Sequence, residues 1–172
     1  MVVHDLDQYG KFRAYSNRNF SRGSFDMGVK LNVPMVTQQR QMSCWYASAC
    51  MVAYFRQAGP RLGLPEKWKA NNGIRISDFI KLAQAEGLKS VKSPATALTD
   101  QQLEVILRNC GPVWCAGMWD GLPHIVVLTG VENGKVFIND PSPSKREREE
   151  TLAWFNQKLC NNIQGCMMYQ PR

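Results

Sequence analysis

From Trp45 to Phe55 the chain is apolar or small at almost every position. A helix with that pattern has no polar face and must be buried on all sides. Nothing breaks it before Gly59-Pro60, where a capping glycine and a proline give a stop signal. Ser43 precedes it as the expected N-cap, its hydroxyl accepting from a free first-turn amide. Two further segments have helical spacing. Ile76 to Gly87 places apolar residues at 79, 80, 82 and 83, with Ser77 as cap and Gly87 as stop. Thr99 to Gln102 forms a capping box, Leu103, Ile106 and Leu107 follow as the core face, and Gly111-Pro112 ends the segment. Beyond Gly111 the period changes. Val113–Trp119 reads as a strand, and His124–Val131 is a β-branched run, apolar on both faces. Asn133-Gly134 predicts a hairpin turn, and Val136-Phe137-Ile138 is the return strand, closed by Asn139-Asp140-Pro141. Ser142–Glu150 reads as a solvated, charged loop, Leu152–Leu159 as a short helix and Cys166–Tyr169 as a last strand. Ahead of the first helix, Leu31–Val36 is extended, because Pro34 bars Val33 from the helical region. Residues 59–75 read as a loop rich in Gly, Pro and Asn. Helices come first and an antiparallel sheet second, which is an α+β arrangement.

Length bounds this pattern to one domain, or one domain with a tail: 172 residues bury a sizeable core without staples. The reading is a domain over residues 31–172 behind an arm at residues 1–30. In the arm, Tyr9, Phe12, Tyr15, Phe20 and Phe25 stand among Lys11, Arg13, Arg18, Arg22 and Lys30. Aromatic and basic residues together suit nucleic acid. No RNA- or DNA-binding motif accompanies them, so nucleic acid is not the expected partner. An arm packed over the domain, or a targeting or pro-segment, fits better. The N-terminus has no basic n-region and no apolar h-region, and no apolar run is long enough to span a bilayer. A protein made in the cytoplasm is expected, and export without a cleavable signal remains compatible. Net charge +7 suits acidic partners. The six cysteines contain no Cys-x-x-Cys and there are two histidines, so no zinc site or other cofactor is expected. If Cys44 is free, five remain, and complete pairing is ruled out. Reduced thiols fit a cytosolic origin, while the pairs 110/115 and 160/166 are the ones an oxidising compartment would bridge.

Candidate chemistry starts at Cys44, the first residue of the buried helix. The positive end of a helix dipole favours the thiolate, the reactive form. A cysteine nucleophile needs a base, and His124, at the start of a strand and the rim of a sheet, is the better of two histidines; His4 lies near a polar terminus. Asp140, closing the neighbouring strand beside Asn139, is the natural acceptor to orient the imidazole. A two-residue turn at Asn133-Gly134 would place His124 opposite residue 143. That leaves an offset of roughly 10 Å from Asp140 at about 3.3 Å per residue. A longer turn or a bulge has to close it. For the oxyanion of an acyl-transfer reaction, the Cys44 amide is one donor. Gln38, Gln39 and Gln41 compete to be the second.

Four motifs occur in order: Gln38 six residues before Cys44, Ser43-Cys44-Trp45, His124–Val131 and Asn139-Asp140-Pro141. Over about 31–141 the chain resembles the papain-like cysteine peptidases. It is most similar to their short bacterial branch, which includes bacteriocin-leader-processing peptidase domains and plant-pathogen avirulence effector proteases. The resemblance implies a papain-like fold, a buried central helix packed on a C-terminal antiparallel sheet. It implies Gln38 in the oxyanion hole, Cys44 as nucleophile, His124 as base and Asp140 orienting His124. The chain departs from papain in the short spacing from Cys44 to His124 and in having Gln41 where papain has a cysteine three residues before its nucleophile. Pockets therefore do not carry over. Trp45 and Trp119 are candidate substrate contacts flanking the cleft.

The leading expectation is a cysteine endopeptidase acting on a protein or peptide through a thioester, plausible as a bacterial secreted effector or toxin. A host factor or a cognate inhibitor or immunity protein is then a further partner class. A papain-like amidase, glutamine deamidase or acyltransferase would use the same triad, because fold and triad do not fix the acyl group. A non-catalytic papain-like binding domain is the third reading.

Overall fold

The structure is a computed structural model, and it describes residues 2–6, 12–16, 28–92 and 97–172. Near the N-terminus, β1 (Val2–Leu6) and β2 (Phe12–Ser16) pair antiparallel as a separate two-stranded sheet. No alternation in the sequence marks either strand. Tyr9, Lys11, Arg18, Phe20, Arg22 and Phe25 of the arm lie outside the described residues. β3 (Gly28–Lys30) belongs to the main sheet, where it pairs with Gly130–Glu132. The domain therefore begins slightly before residue 31.

The long buried helix is α1 (Cys44–Phe55). It ends ahead of the expected Gly59-Pro60 stop, because Gln57 already turns to a positive φ of 54°. α2 (Pro65–Lys69) is a short helix inside the expected loop, with proline in its first turn, where a missing N–H costs nothing. α3 (Ile76–Glu86) is capped from Arg75 and not from Ser77: the Asp78 carboxylate accepts from the Arg75 amide at 2.9 Å. After the two-residue strand β4 (Lys89–Ser90), α4 (Asp100–Cys110) opens on the Thr99–Gln102 box, whose two bonds measure 3.2 and 2.9 Å. The sheet half follows as β5 (Val113–Gly117), a 3-10 turn at Trp119–Gly121, β6 (His124–Glu132), β7 (Lys135–Asn139), β8 (Glu147–Thr151), α5 (Leu152–Lys158) and β9 (Met167–Tyr169). β8 replaces part of the loop expected at 142–150. Its charges stand on both faces of an edge strand, which hides the strand period and also discourages edge pairing with other chains.

The sheet runs β4-β9-β5-β6-β7-β8, with β3 also on β6. β6 is its middle, buried from Ile125 to Val131. α1 lies against β5 and β6, as its all-apolar sequence requires. Two polar bonds fix how it lies. The Trp114 indole of β5 donates to the Trp45 carbonyl at 3.0 Å. The Ser48 hydroxyl, one turn past Cys44, donates to the Ile125 carbonyl at 3.4 Å, next to His124. Helix start and strand start are thereby set side by side.

The β6–β7 hairpin has the turn expected at Asn133-Gly134: Glu132 pairs with Lys135 and Gly130 with Phe137. Thr129 is then skipped, and Leu128 pairs with Ile138 and Val127 with Asn139. This bulge decides the site. In the unbulged register His124 would face Pro143, three residues from Asp140, and the two side chains would lie on opposite faces of the sheet. Carried past the bulge, the register sets His124 opposite Ser142, two residues from Asp140 and on the same face. Diagonal neighbours at that spacing touch when their side chains are long.

Gly130 makes the bulge fit. A Cβ there would lie 2.6 Å from the Val29 carbonyl and 3.0 Å from Lys30 Cα, and backbone atoms do not yield as side chains do. Gly130→Ala should therefore destabilise the fold by about 1–3 kcal/mol, with a lowered denaturant midpoint and an unchanged m-value. A midpoint equal to wild type would mean that β3 does not hold β6 this closely.

Candidate active site

Cys44 is the first residue of α1 and is partly exposed. Ser43 sits at the N-cap position, but its hydroxyl does not cap the helix. It turns back onto Arg40, donating to the Arg40 carbonyl at 3.0 Å and accepting from the Arg40 amide at 3.1 Å. The expected cap is thus replaced by a closed turn. Among the described residues no group accepts from the Cys44 amide. An unpaired amide remains beside the thiol.

His124 heads β6 with its side chain 19% exposed, and Asp140 is fully buried. His124 Nε2 donates to Asp140 Oδ1 at 2.7 Å. That leaves Nδ1 for the Cys44 thiol, which hydrogen-bonds the imidazole. Burial pulls the His124 pKa down, but the bonds and charges of Asp140 and Cys44 outweigh it and hold the imidazole up to about 9. Burial acts against ionising Asp140 too, yet the bond from His124, the Ser142 amide at 2.9 Å and the charges of His124 and Arg148 hold it below its ordinary value. The structure therefore brings Cys44, His124 and Asp140 together. The other five cysteines are free thiols, and burial pushes them up, Cys50 and Cys166 to about 11. They are protonated packing groups at neutral pH. His4 is on β1, where side chains lie outside the described residues.

Gln38 is present at the site in an unexpected role. Its backbone amide donates to the Pro141 carbonyl at 2.8 Å, tying it to the Asp140 loop. Its side-chain Nε2 donates to the carbonyls of Arg40 at 3.0 Å and Gln41 at 2.8 Å. Both amide hydrogens are thus engaged in holding the turn before Cys44, while Oε1 is buried without a partner. Gln39 and Gln41 are exposed on that turn. Trp45 and Trp119 do not line a cleft: they are 0% and 1% exposed. Trp119 stacks between Trp154 and Phe155 at 5.3 and 5.4 Å, and the Trp45 indole donates to the Asn72 carbonyl at 3.3 Å. Their size makes them core, and the expected substrate contacts are corrected to packing. Among the described residues no cluster of His, Cys, Asp and Glu could hold a metal ion, and no helix is long and apolar enough to cross a membrane.

Arg148 on β8 escapes the sequence reading. Its guanidinium approaches Asp140 Oδ2 at 3.5 Å and makes two bonds to Asp120, at 2.8 and 3.2 Å. The signal that could have found it is the charged alternation Glu147-Arg148-Glu149, which has the period of a strand.

A thiol at the head of a buried helix, beside an imidazole and a buried carboxylate from an antiparallel sheet, defines the class: a papain-like fold with a cysteine nucleophile's surroundings. Residues 27–160 match the family described as papain-like cysteine protease AvrRpt2, so the chain belongs to that family and is a cysteine protease. Two solved structures share its fold. The peptidase domain of Streptococcus ComA, a bifunctional ABC transporter involved in quorum sensing, aligns with a TM-score of 0.57 at 19% identity, over 80% of this chain and 98% of that one. A double-glycine-motif protease from an AMS/PCAT transporter, solved with its leader peptide, aligns at 0.53 and 19% identity, over 84% of this chain and 95% of that one.

The His124 proton has a consequence for stability. Its folded pKa of about 9 exceeds the ordinary 6.5, so its contribution is complete below pH 6.5 and is lost as pH rises through 9. Unfolding free energy should fall across that window by at most about 1.4 kcal/mol per pH unit. In His124→Gln the part of this fall between pH 6 and 7.5 should vanish, while the buried thiols still lower stability near pH 9. Urea titrations at pH 6, 7.5 and 9 measure it, and parallel profiles for the two proteins would contradict the pairing.

Proposed function

We propose that the protein is an endopeptidase in which Cys44 is the nucleophile, His124 the acid and base, and Asp140 the group that orients His124. The observation that carries this reading is the 2.7 Å bond from His124 Nε2 to a fully buried carboxylate, with Nδ1 left for the thiol. The Cys44 sulfur, having lost its proton to Nδ1, attacks the peptide carbonyl carbon. Charge collects on the carbonyl oxygen, where the unpaired Cys44 amide can meet it. The C–N bond breaks, and the imidazolium gives its proton to the leaving amine. The thioester is then attacked by water, whose proton passes to His124, and the carboxylic product leaves as the thiol is restored.

Gln38 supplies a second oxyanion donor only by exchanging one of its two bonds to the turn. The buried, unpartnered Oε1 supports such a rotation, because the amide as it stands leaves an acceptor unsatisfied. A peptide is the substrate class this reading favours. Its support is the fold shared with a protease solved with its leader peptide. Synthesis in the cytoplasm with export, as an effector or toxin, rests on the resemblance of the motifs to avirulence effector proteases. Detection of the protein in the culture medium tests it.

The chemistry is tested by iodoacetamide labelling at pH 6 with peptide mapping, followed by mass analysis of products. An ordinary thiol, with a pKa of about 8.5, is slow at that pH. Selective labelling of Cys44, lost in His124→Ala, is expected. Cys44→Ala and His124→Ala should each lower peptide turnover by more than about 10³, with the fold retained. Gln38→Ala should lower kcat by about 10²–10³ if its amide reaches the oxyanion. Uniform slow labelling of all six cysteines would sink the mechanism, and products 1 Da heavier without chain cleavage would replace proteolysis by deamidation.

A further inference from the structure

The Asp140 carboxylate has two oxygens in different positions. Oδ1 is fully used, by His124 Nε2 at 2.7 Å and by the Ser142 amide at 2.9 Å. Oδ2 is buried with the rest of the side chain and meets Arg148 Nη1 at 3.5 Å, an ionic contact at the limit of hydrogen bonding. Arg148 is itself only 15% exposed. It stands opposite Ile138 on the neighbouring strand, and therefore on the face that Asp140 shares.

The same guanidinium grips the loop that delivers His124. Nη1 and Nη2 bond the two Asp120 oxygens at 2.8 and 3.2 Å, a bidentate fork. Asp120 lies four residues before His124, at a φ of 54° in the left-handed region, which Asp adopts more readily than most side chains. Three further contacts hold the fork. Glu150 accepts from Arg148 Nη2 at 2.6 Å, Lys145 pairs with Asp120, and the guanidinium lies 5.1 Å over the Trp154 ring, which stacks on Trp119. An exposed ion pair contributes little. This one bridges a buried carboxylate and the loop entering the strand that bears its histidine.

We infer that Arg148 is a positioning residue, which locks the Asp140 carboxylate and the Trp119–Gly121 turn in the one geometry that presents Oδ1 to His124. The inference rests on the reading of His124 and Asp140 as the working pair. Arg148 touches no substrate. Its effect passes through Asp140 to the imidazole, and through Asp120 to the backbone before it.

Imidazole titration by NMR separates positioning from charge alone. The titratable and charged groups around the pair are Cys44, Asp140, Arg148, Asp120, Glu150 and Lys145. If Arg148 acts only as a nearby cation, Arg148→Met removes a repulsion and the His124 midpoint rises. If it positions Asp140, the carboxylate swings away and the midpoint falls. The wild-type midpoint is expected at about 9. In Arg148→Met it should fall by about one unit or more toward 6.5. Arg148→Lys, which keeps the charge and loses the fork, should lie between the two. His4 is the one other imidazole in the chain, so the signals are readily assigned.

Arg148→Lys carries the test if Arg148→Met fails to fold by circular dichroism: charge alone would leave its midpoint at the wild-type value, whereas loss of the fork should lower it. A midpoint that stays or rises in the folded variants overturns the inference. Cys44 alkylation at pH 6, measured on the same samples, separates this from the peptidase reading: an inert wild-type Cys44 overturns the mechanism, whereas the titration reports the positioning geometry directly. For turnover, Arg148→Met should lower kcat and leave KM little changed.

Discussion

A carboxylate with no exposed surface is the constraint on which the rest of the site depends. Asp140 is fully buried, and an ionised group taken out of water must be paired and hydrogen-bonded or give up its charge. Here it is held ionised by His124, by the Ser142 amide and by Arg148. The same bonds act in reverse on His124, whose proton is retained to about pH 9 in spite of burial. The two groups are charged because they are together. What the fold has to supply is their proximity, and a partner at the other imidazole nitrogen.

Proximity comes from a single skipped residue. Strand geometry alternates faces, so the parity of the offset between His124 and Asp140 decides whether they meet at all. The bulge at Thr129 changes an odd offset to an even one. The sequence shows the turn, the two strands and the mismatch, and so requires an irregularity somewhere. It does not show where, because Thr129-Gly130 sits in a run that reads as unbroken strand. Only when β3 comes alongside does the absent Cβ of Gly130 acquire its meaning.

The buried helix, the capping box at Thr99, the hairpin turn and the order of elements were legible for a common reason. Each depends on residues close in sequence, or on a hydrophobic pattern with one solution. The parts that were not legible depend on distant partners. Ser43 has the right side chain for a cap, but Arg40 competes for its hydroxyl. Trp45 and Trp119 have the right positions for a cleft, but their area is absorbed by the core. β8 reads as loop because its charges are satisfied one by one, Arg148 by Asp120 and Glu150 and Lys135 of β7 by Glu149. In a charged edge strand the pattern that identifies a strand and the pattern that avoids aggregation conflict, and the second masks the first.

The turn before Cys44 shows the same competition closer to the chemistry. Ser43 and Gln38 both carry groups suited to the helix start and the oxyanion, and both are engaged with the carbonyls of Arg40 and Gln41 instead. The consequences differ. Because the Ser43 hydroxyl is turned away, it accepts from no amide of the helix's first turn. A well-capped helix would have offered the Ser43 oxygen to the first turn and drawn the backbone toward itself. Because Gln38 binds the turn, the Arg40 and Gln41 carbonyls ahead of Cys44 are both occupied. Two side chains thus forgo their simplest local bonds to close the turn before Cys44, and Gln38 Oε1 is left buried there without a partner. The Cys44 amide needs no such exchange to be free, since the first amides of any helix lack an intrahelical partner, and the part of the turn is to hold the chain that leads to it.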